Sequence, residues 1–202
     1  MIMKEDGFKR PTSVTVYCAS STQIAEKYNE YARTLGRLLA ENNIRLINGA
    51  GNMGLMSLTA DAVLEAGGQA TGIIPQFMVD NNWHHTEMTE LIIVPSMHER
   101  KQELIHRADA LIALPGGPGT FEELTEVITM KQLGLINKPI IIVNIDGYYE
   151  PLLEMYEHAI SEKFMHETYR GLWQVASTPE EAVDFLLQPP TWDPSYNKFA
   201  KM

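Results

Sequence analysis

The chain has 202 residues, of which 45% are apolar, and its 26 acidic against 16 basic residues give a formal net charge of −10. This length and composition suffice for one well-packed domain and exclude a disordered chain. The acidic balance disfavours a nucleic-acid partner, which would require clustered cations. No run of about 18 apolar residues and no signal-type segment occur, so we expect no membrane association. The single cysteine, Cys18, permits no internal disulfide and fits the cytoplasmic location that we expect.

Predicted strands and helices alternate along the chain. The strands are predicted at residues 14–18, 45–47, 71–74, 91–95, 110–113, 140–143 and 172–175. The helices are predicted at residues 23–42, 53–66, 96–107, 149–162 and 179–187. A further helix is predicted directly after the glycines of residues 116–119, and a loop is predicted over 75–89. This alternation is typical of the α/β class and predicts a single Rossmann-like, doubly wound domain with a mainly parallel sheet of about seven strands.

The predicted catalytic domain spans residues 13–188. An N-terminal extension, residues 1–12, precedes it, and a C-terminal tail, residues 189–202, follows it. The tail carries Trp192, Tyr196 and Phe199, so we expect it to dock on the body of the protein or on a partner subunit.

The most informative segment is residues 114–123, Leu-Pro-Gly-Gly-Pro-Gly-Thr-Phe-Glu-Glu. A strand ends in three glycines within four residues, and a helix begins at once. Such a turn presents backbone N–H groups at a helix N-terminus, where phosphate is favoured. Glu122 and Glu123 follow in the first turns of this helix, which indicates chemistry on a bound nucleotide. The alternative is a plain strand-to-helix connection, since the pattern is neither GxGxxG nor a Walker A loop.

A second segment, residues 96–107, has Ser96 as a predicted N-cap, and Glu99 three residues later completes a capping box. Arg100 and Lys101 near the start of this helix oppose its dipole, which suggests that they bind an anion. Arg100 would do so through its planar fork and Lys101 as a point charge. The alternative is a solvated basic turn paired with Glu99 and Glu103.

Together these segments resemble the cytokinin-activating phosphoribohydrolases of the Lonely Guy (LOG) family, which are often mislabelled lysine decarboxylases. The matching motifs are Met97-His98-Glu99-Arg100-Lys101 and residues 115–123. Residues 16–21 look like the family's first strand and turn, with alanine where glycine is usual. Residues 48–56 look like its second glycine-rich turn. The likeness extends from about Ser13 to Leu187.

Parallel topology brings four turns to one edge of the sheet, at residues 19–22, 49–54, 96–101 and 116–123. The resemblance implies that Glu123 is the catalytic carboxylate, and that Arg100 anchors the substrate or assists departure of the base. Glu122 is the less favoured carboxylate, because it lies in line with Glu126 and Thr129 on a polar face. The implied substrate-binding residues are Lys101, Gly117, Pro118, Gly119, Thr120, Glu122, Thr129, Ser20, Gly51, Met53, Gly54 and Met97.

The implied reaction hydrolyses the N-glycosidic bond of a purine riboside 5′-monophosphate to free base and ribose 5-phosphate, through an oxocarbenium-like transition state. The base is N6-prenyl adenine or plain adenine. Glu123 could act as nucleophile, general base or electrostatic stabiliser. Four methionines near the site could line a pocket for the base or belong to the core, namely Met53, Met56, Met97 and Met130. The resemblance further implies a homodimer.

We expect no cofactor and no metal. His84 and His85 are adjacent and cannot easily converge on one ion, while His98 and His106 are expected on a helix surface or in packing. Two other function classes fit part of the pattern. One is a non-catalytic nucleotide-binding or carrier protein, in which Glu123 only caps its helix. The other is a PLP-dependent decarboxylase, but no lysine in the sequence is evidently placed for a Schiff base.

Overall fold

The structure is a computed structural model that describes residues 10–189 and residue 192. A seven-stranded sheet forms its centre, with strand order β4-β3-β2-β1-β5-β6-β7. Every neighbouring pair is parallel. The strands are β1 (Ser13–Tyr17), β2 (Arg45–Asn48), β3 (Ala70–Pro75), β4 (Glu90–Val94), β5 (Ala110–Ala113), β6 (Ile140–Val143) and β7 (Gln174–Ala176). The chain winds outward from β1 on one side and then on the other, which confirms the predicted doubly wound α/β fold.

Helices cover both faces of this sheet. They are α1 (Glu26–Glu41), α2 (Gly54–Glu65), α3 (Gln76–Asp80), α4 (Met97–His106), α5 (Pro118–Gln132), α6 (Glu150–Ser161) and α7 (Pro179–Leu187), with short 3-10 helices at Ile145–Gly147 and Glu167–Leu172. The predicted bounds of β5, β6 and α7 are confirmed. The predicted start of β7 is wrong, because Leu172 is buried in a 3-10 turn that precedes the strand. The predicted loop over 75–89 contains α3, and α1 begins three residues later than predicted.

Two apolar clusters fill the space between the sheet and its helices. Val14 and Val16 point to the side covered by α1, α2 and α7. Tyr17 and Leu111 point to the opposite side, which α4, α5 and α6 cover. Side chains alternate along a strand, so each central strand supplies both clusters. The helices α4 and α5, which carry the two sequence motifs, therefore lie on the same face of the sheet.

The predicted terminal segments are described only in part. Trp192 is half-buried and packs against the cluster that contains Tyr17. Tyr196 and Phe199 lie outside the described residues, as do residues 1–9 of the predicted extension. The domain limits at residues 13 and 188 therefore remain predictions.

Close packing of α1 on α2 predicts a large effect for Gly36→Ala. An added Cβ at Gly36 would lie 2.5 Å from the carbonyl oxygen of Thr59 and 2.8 Å from Cβ of Ala62. We expect the free energy of unfolding to fall by about 1–3 kcal/mol, the usual cost of overpacking. Urea denaturation measures it. Gly119→Ala is the matched control, since an added Cβ there meets no heavy atom within 4 Å. Equal midpoints for the two variants would contradict the close packing.

Candidate active site

The turns that follow β1, β2 and β5 are bonded to one another at the carboxyl edge of the sheet. The N–H of Ala19 donates to the carbonyl of Pro115 at 3.1 Å, and the N–H of Met56 donates to the carbonyl of Ala19 at 3.3 Å. Gly54 has a φ of +65°, and an added Cβ would lie 2.5 Å from the carbonyl carbon of Ser20. The predicted convergence of these turns is confirmed.

The glycine-rich turn after β5 leaves backbone donors open at the start of α5. Gly117 is the N-cap residue and supplies no side-chain cap. Gly117, Pro118 and Gly119 are exposed, whereas Thr120 is buried. The first N–H groups of a helix have no intrahelical acceptor, and proline has no N–H, so Gly119 and Thr120 supply the free helical donors. Together with the N–H of Gly117, they form an anion cradle, defined here as residues 117–120.

Arg100 is a buried cation fixed by main-chain carbonyls. It is only 6% exposed. Its Nε donates to the carbonyl of Ile73 and its Nη2 to that of Gly49, both at 3.1 Å. A Cβ at position 49 would collide with Nη2, so glycine is required there. Nη1, which has no main-chain partner among residues 10–189, lies 3.8 Å from Oε1 of Glu123. The Nε–Nη2 edge of the guanidinium is thus taken by main-chain carbonyls. The grip on an anion by the planar fork, which the sequence suggested, stays a prediction for the outer Nη1–Nη2 end.

Glu123 is the enclosed member of the carboxylate pair. Its side chain is 14% exposed, whereas that of Glu122 is 56% exposed. Burial raises the pKa of Glu123 to about 7, although the positive charge of Arg100 opposes the rise. Burial also lowers the pKa of Arg100. A carboxyl whose pKa lies near neutrality is suited to proton transfer and to charge stabilisation at physiological pH.

Lys101 links α4 to α5 through two carboxylates. Its Nζ forms an ion pair with Glu122 and a second with Glu126 at 3.3 Å. The hydrogen bond to Glu122 raises the pKa of Lys101. The predicted N-cap is confirmed, since the N–H of Glu99 donates to Oγ of Ser96 at 3.2 Å. The return contact of the predicted capping box differs, because the hydroxyl of Ser96, and not its backbone N–H, donates to Oε1 of Glu99 at 3.0 Å. The alternative of a solvated basic turn paired with Glu99 and Glu103 is wrong, because the carboxylate partners of both cations lie on α5.

The remaining predicted residues are placed unevenly around this pair. Ser20, Met53 and Met97 are exposed, and the Sδ of Met97 lies 3.9 Å from Nη1 of Arg100. The N–H of Gly51 donates to the Sδ of Met56 at 2.9 Å.

Thr129 is exposed and lies nine residues beyond Thr120, roughly 14 Å along α5. Within this chain it is therefore not beside the cradle.

Three histidines and the cysteine considered in the sequence analysis are buried or lie on a helix surface. His85 is buried, with Nε2 2.8 Å from Oδ1 of Asp61, and Cys18 is buried as expected. His98 and His106 are exposed on α4. Over residues 10–189, no three His, Cys, Asp or Glu side chains are grouped so that they could hold a metal ion.

Three tyrosines near the site were missed by the sequence analysis. The hydroxyl of Tyr148 donates to the carbonyl of Gly116 at 2.6 Å, and that of Tyr149 to the carbonyl of Leu114 at 2.7 Å. Tyr17 ends β1, and burial together with the charge of Glu123 raises its pKa. For Tyr148 and Tyr149 the predicted topology contained a signal, because the turn after β6 reaches the same edge of the sheet as the four predicted turns.

A groove of about 640 Å³ lies at the opposite, amino edge of the sheet. Ser13, Arg45 and Thr71 are among its lining residues, and none of the predicted site residues lines it. The size of a cavity therefore does not locate the chemistry here.

Comparison with known proteins identifies the family. A family model described as "Possible lysine decarboxylase" matches residues 56–186. The cytokinin riboside 5′-monophosphate phosphoribohydrolase LOG5 of Arabidopsis thaliana is 41% identical over 179 residues, which cover 89% of this chain and 77% of LOG5. The enzyme of that name from Rhodococcoides fascians is 41% identical over 180 residues, which cover 89% of this chain and 91% of that protein. The chain belongs to the LOG family.

Membership in the LOG family confirms the resemblance drawn from the two motifs. A more distant match shows the fold alone: the molybdenum cofactor carrier protein of Chlamydomonas reinhardtii has a TM-score of 0.69 at 21% identity, over 89% of this chain and 98% of that one. None of the helices in the described part of the chain has the length and apolar character needed to cross a membrane.

The raised pKa of Glu123 predicts a pH-dependent stability. Its folded pKa of about 7 lies above the ordinary value of 4.5, so the stabilisation is present below pH 4.5 and is lost as the pH rises through 7. The free energy of unfolding should fall by about 3 kcal/mol over this window. Glu123→Gln does not titrate, so urea denaturation between pH 4.5 and 8 should show the variant gaining stability relative to wild type. A difference that stays constant over this range would contradict the assignment.

Proposed function

We propose that this chain hydrolyses the N-glycosidic bond of an adenine or N6-prenyl adenine riboside 5′-monophosphate to free base and ribose 5-phosphate. The relatives named phosphoribohydrolases, at about 41% identity over most of the chain, support an enzyme of this class. One structural observation supports roles for particular residues. Oε1 of the buried Glu123 lies 3.8 Å from Nη1 of Arg100, next to the open anion cradle.

In this proposal the cradle binds the 5′-phosphate. The N–H groups of Gly117, Gly119 and Thr120 donate to its oxygens, and the N-terminus of α5 adds a favourable dipole. Gly119 and Glu123 lie four residues apart, so they share one face of α5 about one turn, roughly 5 Å, from each other. A phosphate at the helix terminus would thus bring the ribose of the same nucleotide toward the carboxyl group.

The reaction needs one bond to break and one to form at C1′ of the ribose. The C1′–N9 bond breaks with its electron pair going to the base, which gains a proton, while a water oxygen bonds to C1′ and loses a proton. The ionised carboxylate of Glu123 stabilises the positive charge that develops on the ribose and can accept the water proton. Arg100 keeps a share of Glu123 ionised despite its burial, and Nη1 faces the same space as the carboxylate.

The wall of the site toward β2 is the proposed place for the base. Exposed Met53 and Met97 offer polarisable apolar surface there, while Ser20, Gly51 and Gly54 shape the adjoining turns. Lys101 and Glu122 form the rim on the α4 and α5 side. Thr129 lies too far along α5 to contact this nucleotide from the same chain.

A PLP-dependent decarboxylase is disfavoured by the placement of the lysines. Lys101 is held between two carboxylates with a raised pKa, which opposes its action as a neutral amine nucleophile. Burial lowers the pKa of Lys131 to about 8. However, Lys131 lies 11 residues beyond Thr120, roughly 17 Å along α5 and away from the cradle.

We further propose that the protein works in the cytoplasm as a homodimer and binds no nucleic acid. Exposed apolar side chains support an association surface, namely Leu135 just after α5, Met155 on α6 and Phe164 just after α6. The net charge of −10 argues against a nucleic-acid surface. Sedimentation of the purified chain at micromolar concentration gives the oligomeric state directly.

Glu123→Gln should reduce base release by about 10²–10⁴-fold, because the carboxylate is lost from the reacting centre. Chromatography of free adenine and isopentenyladenine released from the matching 5′-monophosphates measures this, and the preferred monophosphate identifies the base. Glu103→Gln is the matched control, since Glu103 pairs with Arg107 on α4 and not with site residues. Nucleotide binding by wild type without any base release would instead support a carrier.

Gly119→Ala should leave the fold intact and raise the KM for the monophosphate about tenfold or more. The added methyl would enter the open space above the cradle, where the proposal places the phosphate close to the backbone. Steady-state kinetics measure the KM, and the denaturation midpoint verifies folding. A KM equal to that of wild type would place the phosphate elsewhere.

A further inference from the structure

The turn between β6 and α6 is built to hold Tyr148 against the glycine-rich turn. Asp146 and Gly147 both adopt left-handed backbone, with φ of 48° and 75°. The side chain of Asn144 accepts a hydrogen bond from the N–H of Tyr149 at 2.7 Å. Lys27 of α1 pairs with Asp146 at 2.7 Å. These contacts fix a turn that is strained at Asp146, a non-glycine residue with positive φ, and strain of this kind concentrates at functional sites.

Three successive carbonyls of the glycine-rich turn each accept one hydrogen bond. Tyr149 donates to Leu114 at 2.7 Å and Tyr148 to Gly116 at 2.6 Å. Between them, the N–H of Ala19 donates to Pro115 at 3.1 Å. All three peptide planes that lead into the cradle are therefore oriented by groups from the turns after β1 and β6.

The bond from Tyr148 also determines where a donor points. A peptide unit is planar and trans, so the C=O of Gly116 and the N–H of Gly117 point in opposite directions. A Gly-Gly peptide is the easiest peptide to rotate, since neither residue has a Cβ. Rotated, it would present a carbonyl oxygen to a bound anion and repel it. Within residues 10–189, the N–H of Gly117 has no acceptor, and it is free for a ligand.

We propose that Tyr148 is a positioning residue for the 5′-phosphate. Its hydroxyl holds the Gly116–Gly117 peptide in the orientation that turns the N–H of Gly117 toward the cradle. This inference rests on the proposed function, because that function assigns the phosphate to the cradle. Tyr149 provides an internal contrast, since the Leu114–Pro115 peptide that it bonds has no N–H to direct.

Tyr148→Phe tests the inference with little other change. The ring keeps its edge contacts to Tyr28 and Tyr149, at centroid distances of 6.0 and 5.2 Å. Removing one neutral hydrogen bond should raise the KM for AMP and the inhibition constant of ribose 5-phosphate by about 3- to 10-fold each. The inhibition constant of free adenine should stay unchanged and kcat should stay within about twofold, because no group at the reacting carbon is altered.

Two control variants separate this effect from general loosening. Tyr28→Phe removes a neighbouring hydroxyl that forms no hydrogen bond within the described residues, and all constants should match wild type. Tyr149→Phe should lower the melting temperature without weakening the binding of ribose 5-phosphate. The inference is overturned if Tyr148→Phe leaves the inhibition constant of ribose 5-phosphate unchanged or raises that of adenine by the same factor. It is also overturned if Tyr148→Phe behaves like Tyr149→Phe.

Direct calorimetry of ribose 5-phosphate needs no turnover and keeps the two proposals apart. If wild type binds ribose 5-phosphate but releases no base from either monophosphate, the proposed hydrolysis fails while the role of Tyr148 is still measured. If wild type is active and Tyr148→Phe binds ribose 5-phosphate as tightly as wild type, only the role of Tyr148 fails.

Discussion

The site depends on the burial of one guanidinium group. A buried cation is costly unless carbonyls and an opposite charge surround it, and Arg100 receives the carbonyls of Gly49 and Ile73 together with the carboxylate of Glu123. These three partners come from the turn after β2, from β3 and from α5. Because Arg100 belongs to α4, one side chain joins four elements at the carboxyl edge of the sheet. The glycine at position 49 follows from the same contact, since any larger residue would occupy the place of Nη2.

The charges around Arg100 also indicate how an acidic protein would hold the phosphate that the proposed function requires. Three carboxylates lie near the start of α5, and alone they would repel an anion. Lys101 pairs with Glu122 and Glu126, while Arg100 faces Glu123 and is too firmly bound to the main chain to leave it. The attraction for phosphate is therefore assigned to uncharged donors, the N–H groups of Gly117, Gly119 and Thr120. Backbone donors at a helix N-terminus bind anions without an excess of positive side chains.

Sequence reasoning succeeded where a feature was local and failed where it depended on distant contacts. The strand β5 is a short apolar run between Asp109 and the turn that begins with Leu114-Pro115. The helix α7 has Thr178 as its N-cap and Pro179 in its first turn. Both elements could therefore be delimited from local sequence signals. The start of β7 was misplaced because Leu172 is equally apolar in a 3-10 turn and in a strand. The partners of Lys101 lie 21 and 25 residues away, and the carbonyl that binds Arg100 Nη2 lies 51 residues away. No spacing rule connects such residues. Only the topology placed them at one edge.

The fold alone does not decide between holding a nucleotide and cleaving it. A protein named as a carrier, the molybdenum cofactor carrier protein of Chlamydomonas reinhardtii, has the same architecture at only 21% identity. An anion cradle serves either purpose equally well. The buried carboxyl of Glu123 does not serve both purposes equally well. Burial raises its pKa to about 7, and a carboxyl with a raised pKa lowers the stability of the folded protein at neutral pH. A helix cap could be supplied by an exposed side chain without that cost. The presence of Glu123 in an enclosed position beside Arg100 is therefore better explained by a need for a reactive carboxylate than by the requirements of the fold.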